Sequence, residues 1–155
     1  MINSHVVYLG LGSNLGQREE NIRQAYEYIE RLIGHIVRQS AFFYSEPWGF
    51  QSENAFVNSV IRVETMLSPF ELLRQTQCVE RLVGKRHRHS TERSQNSLPV
   101  YHDRPIDIDI LLYDDLRIDE PELKIPHPLM QEREFVMIPL SEVQSITYAD
   151  REPSQ

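Results

Sequence analysis

The sequence predicts an α+β protein, one domain spanning residues 1–155, with the order β-α-β-β-α-β and an antiparallel sheet. Three observations carry this. Ile22, Ala25, Tyr26, Ile29, Leu32 and Ile33 recur at helical spacing, and so do Leu72, Leu73, Thr76, Val79 and Val83. Between and around these stripes lie short β-branched and aromatic runs. In the last of them Ile106, Ile108 and Ile110 alternate with Asp107 and Asp109, the period of two that marks a strand with one apolar face.

The elements follow in order. Residues 6–11 form an apolar run that enters a glycine-rich turn at Gly10, Gly12 and Gly16, with Ser13 or Asn14 expected to cap the first helix. Gly34 stands where that helix should end. Residues 36–44 read as a second strand, residues 45–49 as a loop, and residues 55–65 as a third strand. Ser68-Pro69-Phe70-Glu71 supplies an N-cap serine, a proline at the first helical position and a glutamate to complete a capping box. Gly84 is the expected stop for this second helix, and a basic loop over 85–104 leads to the Asp-Ile-Asp strand. Pro126-His127-Pro128 reads as a rigid loop, and a helical segment over about 130–143 covers another side before a polar tail from Ser145. This order is that of ferredoxin-like folds, here with an additional C-terminal helical segment, a three-layer α-β-α arrangement.

Composition narrows the function. With 40% hydrophobic and 25% charged residues the chain reads as globular. It shows neither an apolar run of membrane-spanning length nor a charged, apolar leader, so a soluble, cytoplasmic protein with no membrane partner is expected. Cys78 is the single cysteine, read as a small buried hydrophobe within the second helix. The net charge of −7 argues against a nucleic-acid partner. Its distribution is uneven: residues 85–104 hold five bases against two acids, a net +3, which leaves −10 for the remainder. An acidic body with one basic segment suits a small anionic ligand.

Asp107 and Asp109 point to one side of their strand with Cα atoms roughly 7 Å apart. Two like charges held that close repel unless a cation lies between them, and all-oxygen ligands favour Mg²⁺. A solvated acidic face on an edge strand explains the pair as well. On the third strand Phe56 and Asn58 share a face, opposite Val57, Ile61 and Val63; an aromatic ring beside a carboxamide can stack on a flat heterocycle and bond its edge, or Phe56 is simply core. Gln77 and Glu80 are neighbours on one surface of the second helix. His127, held between two prolines, suits a ligand-contacting donor or a structural histidine. His87, His89 and His102 read as loop residues among the bases, without metal-ligand spacing.

Taken together, Gly12-Ser13-Asn14-Leu15-Gly16, Glu46-Pro47-Trp48-Gly49, Phe56-Val57-Asn58, residues 103–109 and Ile125-Pro126-His127-Pro128 resemble the 6-hydroxymethyl-7,8-dihydropterin pyrophosphokinases of folate biosynthesis. The resemblance implies transfer of pyrophosphate from ATP to the pterin hydroxymethyl group, with release of AMP. It implies two Mg²⁺ ions on Asp107 and Asp109, with Arg104 steadying the triphosphate. The position after the helix-ending glycine, an arginine in the family, is shared here between Lys85 and Arg86. For the pterin, the resemblance implies a slot between Phe56 and Phe135, edge recognition by Asn58, and a wall from Glu46, Pro47, Trp48 and Gly49. For the nucleotide it implies Gln77, Glu80, Arg88, Ile110, His127 and Arg133, with Tyr101 where some relatives have a tryptophan. A monomer is expected. Two readings from other classes compete: a ferredoxin-like RNA-binding module, which lacks the expected aromatic-rich sheet motif, and a ligand-binding protein without activity.

Overall fold

A computed structural model describes residues 4–45, 55–90 and 105–144, with the backbone alone for 87–90. The elements are β1 (His5–Ser13), α1 (Arg18–Leu32), β2 (Gly34–Gln39), β3 (Phe43–Ser45), β4 (Phe56–Thr65), α2 (Pro69–Ser90), β5 (Asp107–Tyr113), β6 (Ile118–Glu120), β7 (Leu123–Ile125) and α3 (Glu134–Gln144), the last preceded by a 3-10 turn at Met130–Glu132.

The main sheet runs β2-β4-β1-β5, antiparallel throughout, with β3 also on β4; β6 and β7 make a separate hairpin. Strand alternation sorts the side chains into two cores. Val7 and Leu9 of β1, Val57, Ile61 and Val63 of β4 and Ile108 of β5 meet Ile22, Ala25 and Ile29 of α1 and Leu72, Val79 and Val83 of α2. On the opposite face Val60 and Leu111 meet Val136, Leu140 and Val143 of α3. Each fully buried aliphatic side chain contributes on the order of 1.5–3 kcal/mol, so both helical layers are held mainly by apolar burial. The three layers are those the sequence predicts. Among the described residues no helix is long and apolar enough to cross a membrane.

The start of α2 follows the capping box. The Ser68 N–H donates to Glu71 Oε1 (2.9 Å), and the Glu71 N–H donates to Ser68 Oγ (3.4 Å). Ser68→Ala is expected to cost about 1 kcal/mol, read as a lower midpoint in urea unfolding with an unchanged slope.

Several boundaries differ from the sequence reading, each for a local reason. The expected strand over 36–44 is broken into β2 and β3 at Ser40. Its N–H donates to the Val60 carbonyl (2.9 Å), but its Oγ accepts the Val60 N–H (3.0 Å) and donates to the Ala41 carbonyl (2.8 Å). The side chain thus takes a place in the ladder that the backbone would otherwise fill. β1 continues through Gly10 and Gly12 to Ser13, so these glycines belong to the strand. Neither Ser13 nor Asn14 caps α1: the N-cap is Gln17, without a side-chain bond. The connection is held from the helix side, where Asn21 Nδ2 donates to the Leu15 carbonyl (2.8 Å) and to Ser13 Oγ (3.3 Å). Leu32, expected in the buried stripe, is exposed, and Cys78 is half-buried.

Gly84 does not stop α2, which runs on to Ser90, so residues 85–90 of the expected loop, His87 among them, are helical, and the rest of it lies outside the described residues. An interior glycine costs about 1 kcal/mol but removes no hydrogen bond. The bases after it are good helix formers with charges suited to a C-terminal end.

Candidate active site

Register brings the sequence-predicted residues together. Asp107 pairs with Gly12 across β5 and β1, Gly12 with Asn58 across β1 and β4, and Asn58 with Phe43 across β4 and β3. Two residues along, Asp109 lies opposite Gly10 and Gly10 opposite Val60. Strands are spaced by about 4.8 Å, so the Cα atoms of Asp107 and Asn58 lie roughly 10 Å apart. Nothing but a glycine Cα stands between them. A Cβ at Gly12 would come within 2.8 Å of Asn58 Oδ1, too close for the carboxamide to remain where it is.

Over this bare strip lies a cavity of about 690 Å³, walled by Phe43, Ser45, Phe56 and Asn58 on one side, Asp107, Asp109 and Leu111 on another, and Leu129, Glu132, Arg133 and Phe135 from the α3 layer. The Asn58 side chain is buried, with Nδ2 3.4 Å from Ser45 Oγ, to which it donates. The Arg133 guanidinium sits 5.5 Å from the centre of the Phe135 ring, so a cation and an aromatic face border the same wall.

His127 reaches the acidic pair from the loop after β7. The Ile125–Pro126 bond is cis, and the His127 N–H donates to the Leu111 carbonyl (3.1 Å). The Leu129 N–H donates to His127 Nδ1 (3.4 Å), which assigns the ring proton to Nε2, 3.9 Å from Asp109 Oδ2. Burial pushes the imidazole below its usual value, the Arg133 charge adds to this, and Asp107 partly opposes it. Near neutral pH the ring is therefore uncharged and does not neutralise Asp109.

The donor set fits a hard divalent ion. Among the described residues no group of three or more His, Cys, Asp or Glu side chains could enclose a metal. Mg²⁺ keeps several waters and is commonly held by one or two carboxylates plus phosphate oxygens, so two adjacent carboxylates at the edge of a roomy cavity suit it better than a closed cage would.

A sequence model of the 7,8-dihydro-6-hydroxymethylpterin-pyrophosphokinase family matches residues 8–145. The chain belongs to this family. A curated relative from Porphyromonas gingivalis, a 2-amino-4-hydroxy-6-hydroxymethyldihydropteridine pyrophosphokinase, is 44% identical over 139 residues, covering 89% of this chain and 90% of its own length. One of the same name from Aquifex aeolicus is 40% identical over 138 residues, covering 89% and 79%. Among solved structures, an HPPK-DHPS in complex with substrates superposes with a TM-score of 0.68 at 13% identity, covering 97% of this chain and 42% of that longer one. At that identity the likeness shows the fold.

Against this pyrophosphokinase family, the remaining expected residues fall into four groups. On α2, Glu80 accepts the Ile108 N–H through Oε2 (2.8 Å), and Gln77, one turn earlier, is exposed. Ile110 is 5% exposed on the α1/α2 face, so only its main chain is available to a ligand. Lys85 and Arg86 are both exposed; the Arg86 guanidinium lies 6.0 Å from the Tyr28 ring of α1. Glu46, Pro47, Trp48, Gly49, Tyr101 and Arg104 lie outside the described residues, as does the side chain of Arg88. The sequence reading missed Gly10, Gly12, Phe43 and Ser45. The period of two between the glycines, in phase with Tyr8, was the sign that they share one face of a strand.

Proposed function

We propose that this pyrophosphokinase binds its reduced pterin beside Asn58 between Phe56 and Phe135, and places the ATP triphosphate against Asp107 and Asp109 across the side-chain-free strip of Gly10 and Gly12. The activity is transfer of pyrophosphate from ATP to 6-hydroxymethyl-7,8-dihydropterin, a step of folate biosynthesis. The observation that carries the placement is the cross-strand row Asp107–Gly12–Asn58, which sets a carboxylate and a carboxamide on opposite sides of an open gap. The carboxamide offers both a donor and an acceptor to the edge of a heterocycle, and flanking aromatic rings offer stacking faces.

In this placement the hydroxymethyl oxygen attacks the β-phosphorus in line. The bond from that phosphorus to the oxygen bridging to the α-phosphorus breaks, AMP leaves with the oxygen and its electron pair, and the hydroxyl proton passes to solvent. Bound at Asp107 and Asp109, two Mg²⁺ ions supply charge neutralisation along the triphosphate. Asp107 and Asp109 hold and orient; Arg133 presents a cation in the cavity wall, and His127 holds its Nε2–H 3.9 Å from Asp109 Oδ2. Arg104, with Lys85 or Arg86, completes the positive surround in this reading. Among the described residues no strong base stands out for the hydroxymethyl group, so positioning and electrostatics supply the rate enhancement. A monomer acting in the cytoplasm is the setting the proposal implies.

The test mixes the protein with Mg²⁺, ATP and 6-hydroxymethyl-7,8-dihydropterin and identifies the nucleotide product. AMP is expected, whereas ADP or the absence of turnover overturns the reading. Phe56→Ala removes one stacking face and is expected to weaken pterin binding by about tenfold or more, at roughly 1–3 kcal/mol per stacked ring. Affinity for an ATP analogue should stay unchanged when both are measured by titration calorimetry.

A further inference from the structure

We propose that Glu80 is a positioning residue for the metal strand: by accepting the Ile108 N–H it fixes the backbone between Asp107 and Asp109, and so the spacing of the two carboxylates. This rests on the reading of that pair as the cation site.

β5 lies at the end of the β2-β4-β1-β5 order, and among the described residues its one partner in the sheet is β1. Among the described residues, backbone donors along its outer edge therefore find no neighbouring strand. The Ile108 N–H is one such donor, and it belongs to the residue between the two aspartates. Glu80, half-buried on α2 beside the buried Val79, reaches it with a 2.8 Å contact. A bond from a backbone amide to a carboxylate is charge-assisted and roughly twice as strong as a neutral one. Further along the same strand the Leu111 carbonyl is taken by the His127 N–H (3.1 Å). The edge is thus tied at one end to α2 and at the other to the loop that carries His127.

An edge strand tied on one side only can twist and shift by tenths of an ångström at little cost. Mg²⁺ coordination near 2.0–2.1 Å does not accept such drift without loss of affinity. Groups that orient metal ligands from behind typically change metal affinity or rate by about 10- to 100-fold when removed. The family resemblance suggests the nucleotide as another role for Glu80, and a purely structural tie between α2 and the sheet is a third; the three predict different measurements.

The test compares Glu80→Ala and Glu80→Gln with the unaltered protein and with Asp109→Ala. Glutamine keeps a side-chain oxygen that can accept the Ile108 N–H; alanine does not. Without substrates, hydrogen exchange should show faster exchange at residues 107–109 in Glu80→Ala and protection restored in Glu80→Gln. At saturating ATP and pterin, Glu80→Ala should need about tenfold more Mg²⁺ for half-maximal rate, with the pterin KM unchanged and Glu80→Gln close to the unaltered protein. A raised ATP KM with unchanged Mg²⁺ demand would overturn the proposal in favour of a nucleotide contact. A lowered Tm with unchanged Mg²⁺ demand and kcat would overturn it in favour of a structural tie. If Asp109→Ala itself kept full activity, the cation reading would fail first, and that outcome is separate from any result with Glu80.

Discussion

Asp109→Ala is expected to lower turnover by several powers of ten while the protein stays folded. The carboxylate stands opposite Gly10 at the edge of the cavity, its Oδ2 3.9 Å from a His127 ring held neutral by burial and by Arg133. Its side chain is 39% exposed and on one face with Asp107, so removing it deletes no apolar contact and relieves repulsion between two like charges. Stability should be unchanged or slightly raised. Activity depends on charge neutralisation of a triphosphate, for which a methyl group offers nothing, and losses of this size are usual when a metal ligand is removed. Initial rates of AMP formation, with circular dichroism and a thermal scan on the same preparation, check both halves. Activity within about tenfold of the unaltered enzyme would overturn the assignment of Asp109.

Gly34→Ala should give the largest loss of stability of any conservative change considered. Gly34 opens β2 directly after the end of α1, paired with Thr65. A Cβ there would be driven into the carbonyl oxygen of Glu64, and also lie 2.9 Å from its carbonyl carbon and 3.0 Å from the Thr65 Cα. All three atoms are main chain, so no rotamer change removes the clash. Either β2 leaves β4 at this end or the end of α1 lifts. The second movement would break the 2.6 Å bond in which Thr65 Oγ1 donates to the Ile33 carbonyl, a buried tie for a helix-end acceptor. Overpacking in such a place costs typically about 1–3 kcal/mol and occasionally more, and at roughly 2–4 °C per kcal/mol for a chain of this size a fall in Tm of about 5–10 °C is expected. The cavity lies at the other end of β1 and β4, so kcat measured well below the new Tm should be retained. A Tm within about 2 °C of the unaltered protein would show that the sheet yields more easily than its geometry indicates.

The contrast between these two positions shows what each level of description holds. Asp107 and Asp109 are two residues apart on one strand, so alternation alone placed them on one face. The capping box at Ser68 and Glu71 and the stripes of α1 and α2 were likewise legible, because they depend on neighbours within one turn of a helix. Gly34 was legible only as punctuation: its position after a helical stripe suggested a stop, whereas the need for glycine comes from β4, thirty residues further on. Gly84 read as the same kind of stop and is none, since among the described residues no strand crosses there and nothing lies within 4 Å of where its Cβ would be. Ser40 divides a continuous β-prone run because of a bond to Val60 that no local pattern announces.

The sequence by itself determined the β-α-β-β-α-β order and the C-terminal helix, though not the β6–β7 hairpin, together with the acidic pair and, through separated motifs, the family. The tertiary structure alone decided that Gly10 and Gly12 form the floor of a cavity between Asp107 and Asn58, that Glu80 reaches the strand edge behind the acidic pair, and that His127 faces Asp109 uncharged. Periodicity and capping are written over a few neighbouring residues, whereas a site is written in strand register, which joins residues up to about a hundred positions apart and becomes visible only once the pairing is fixed.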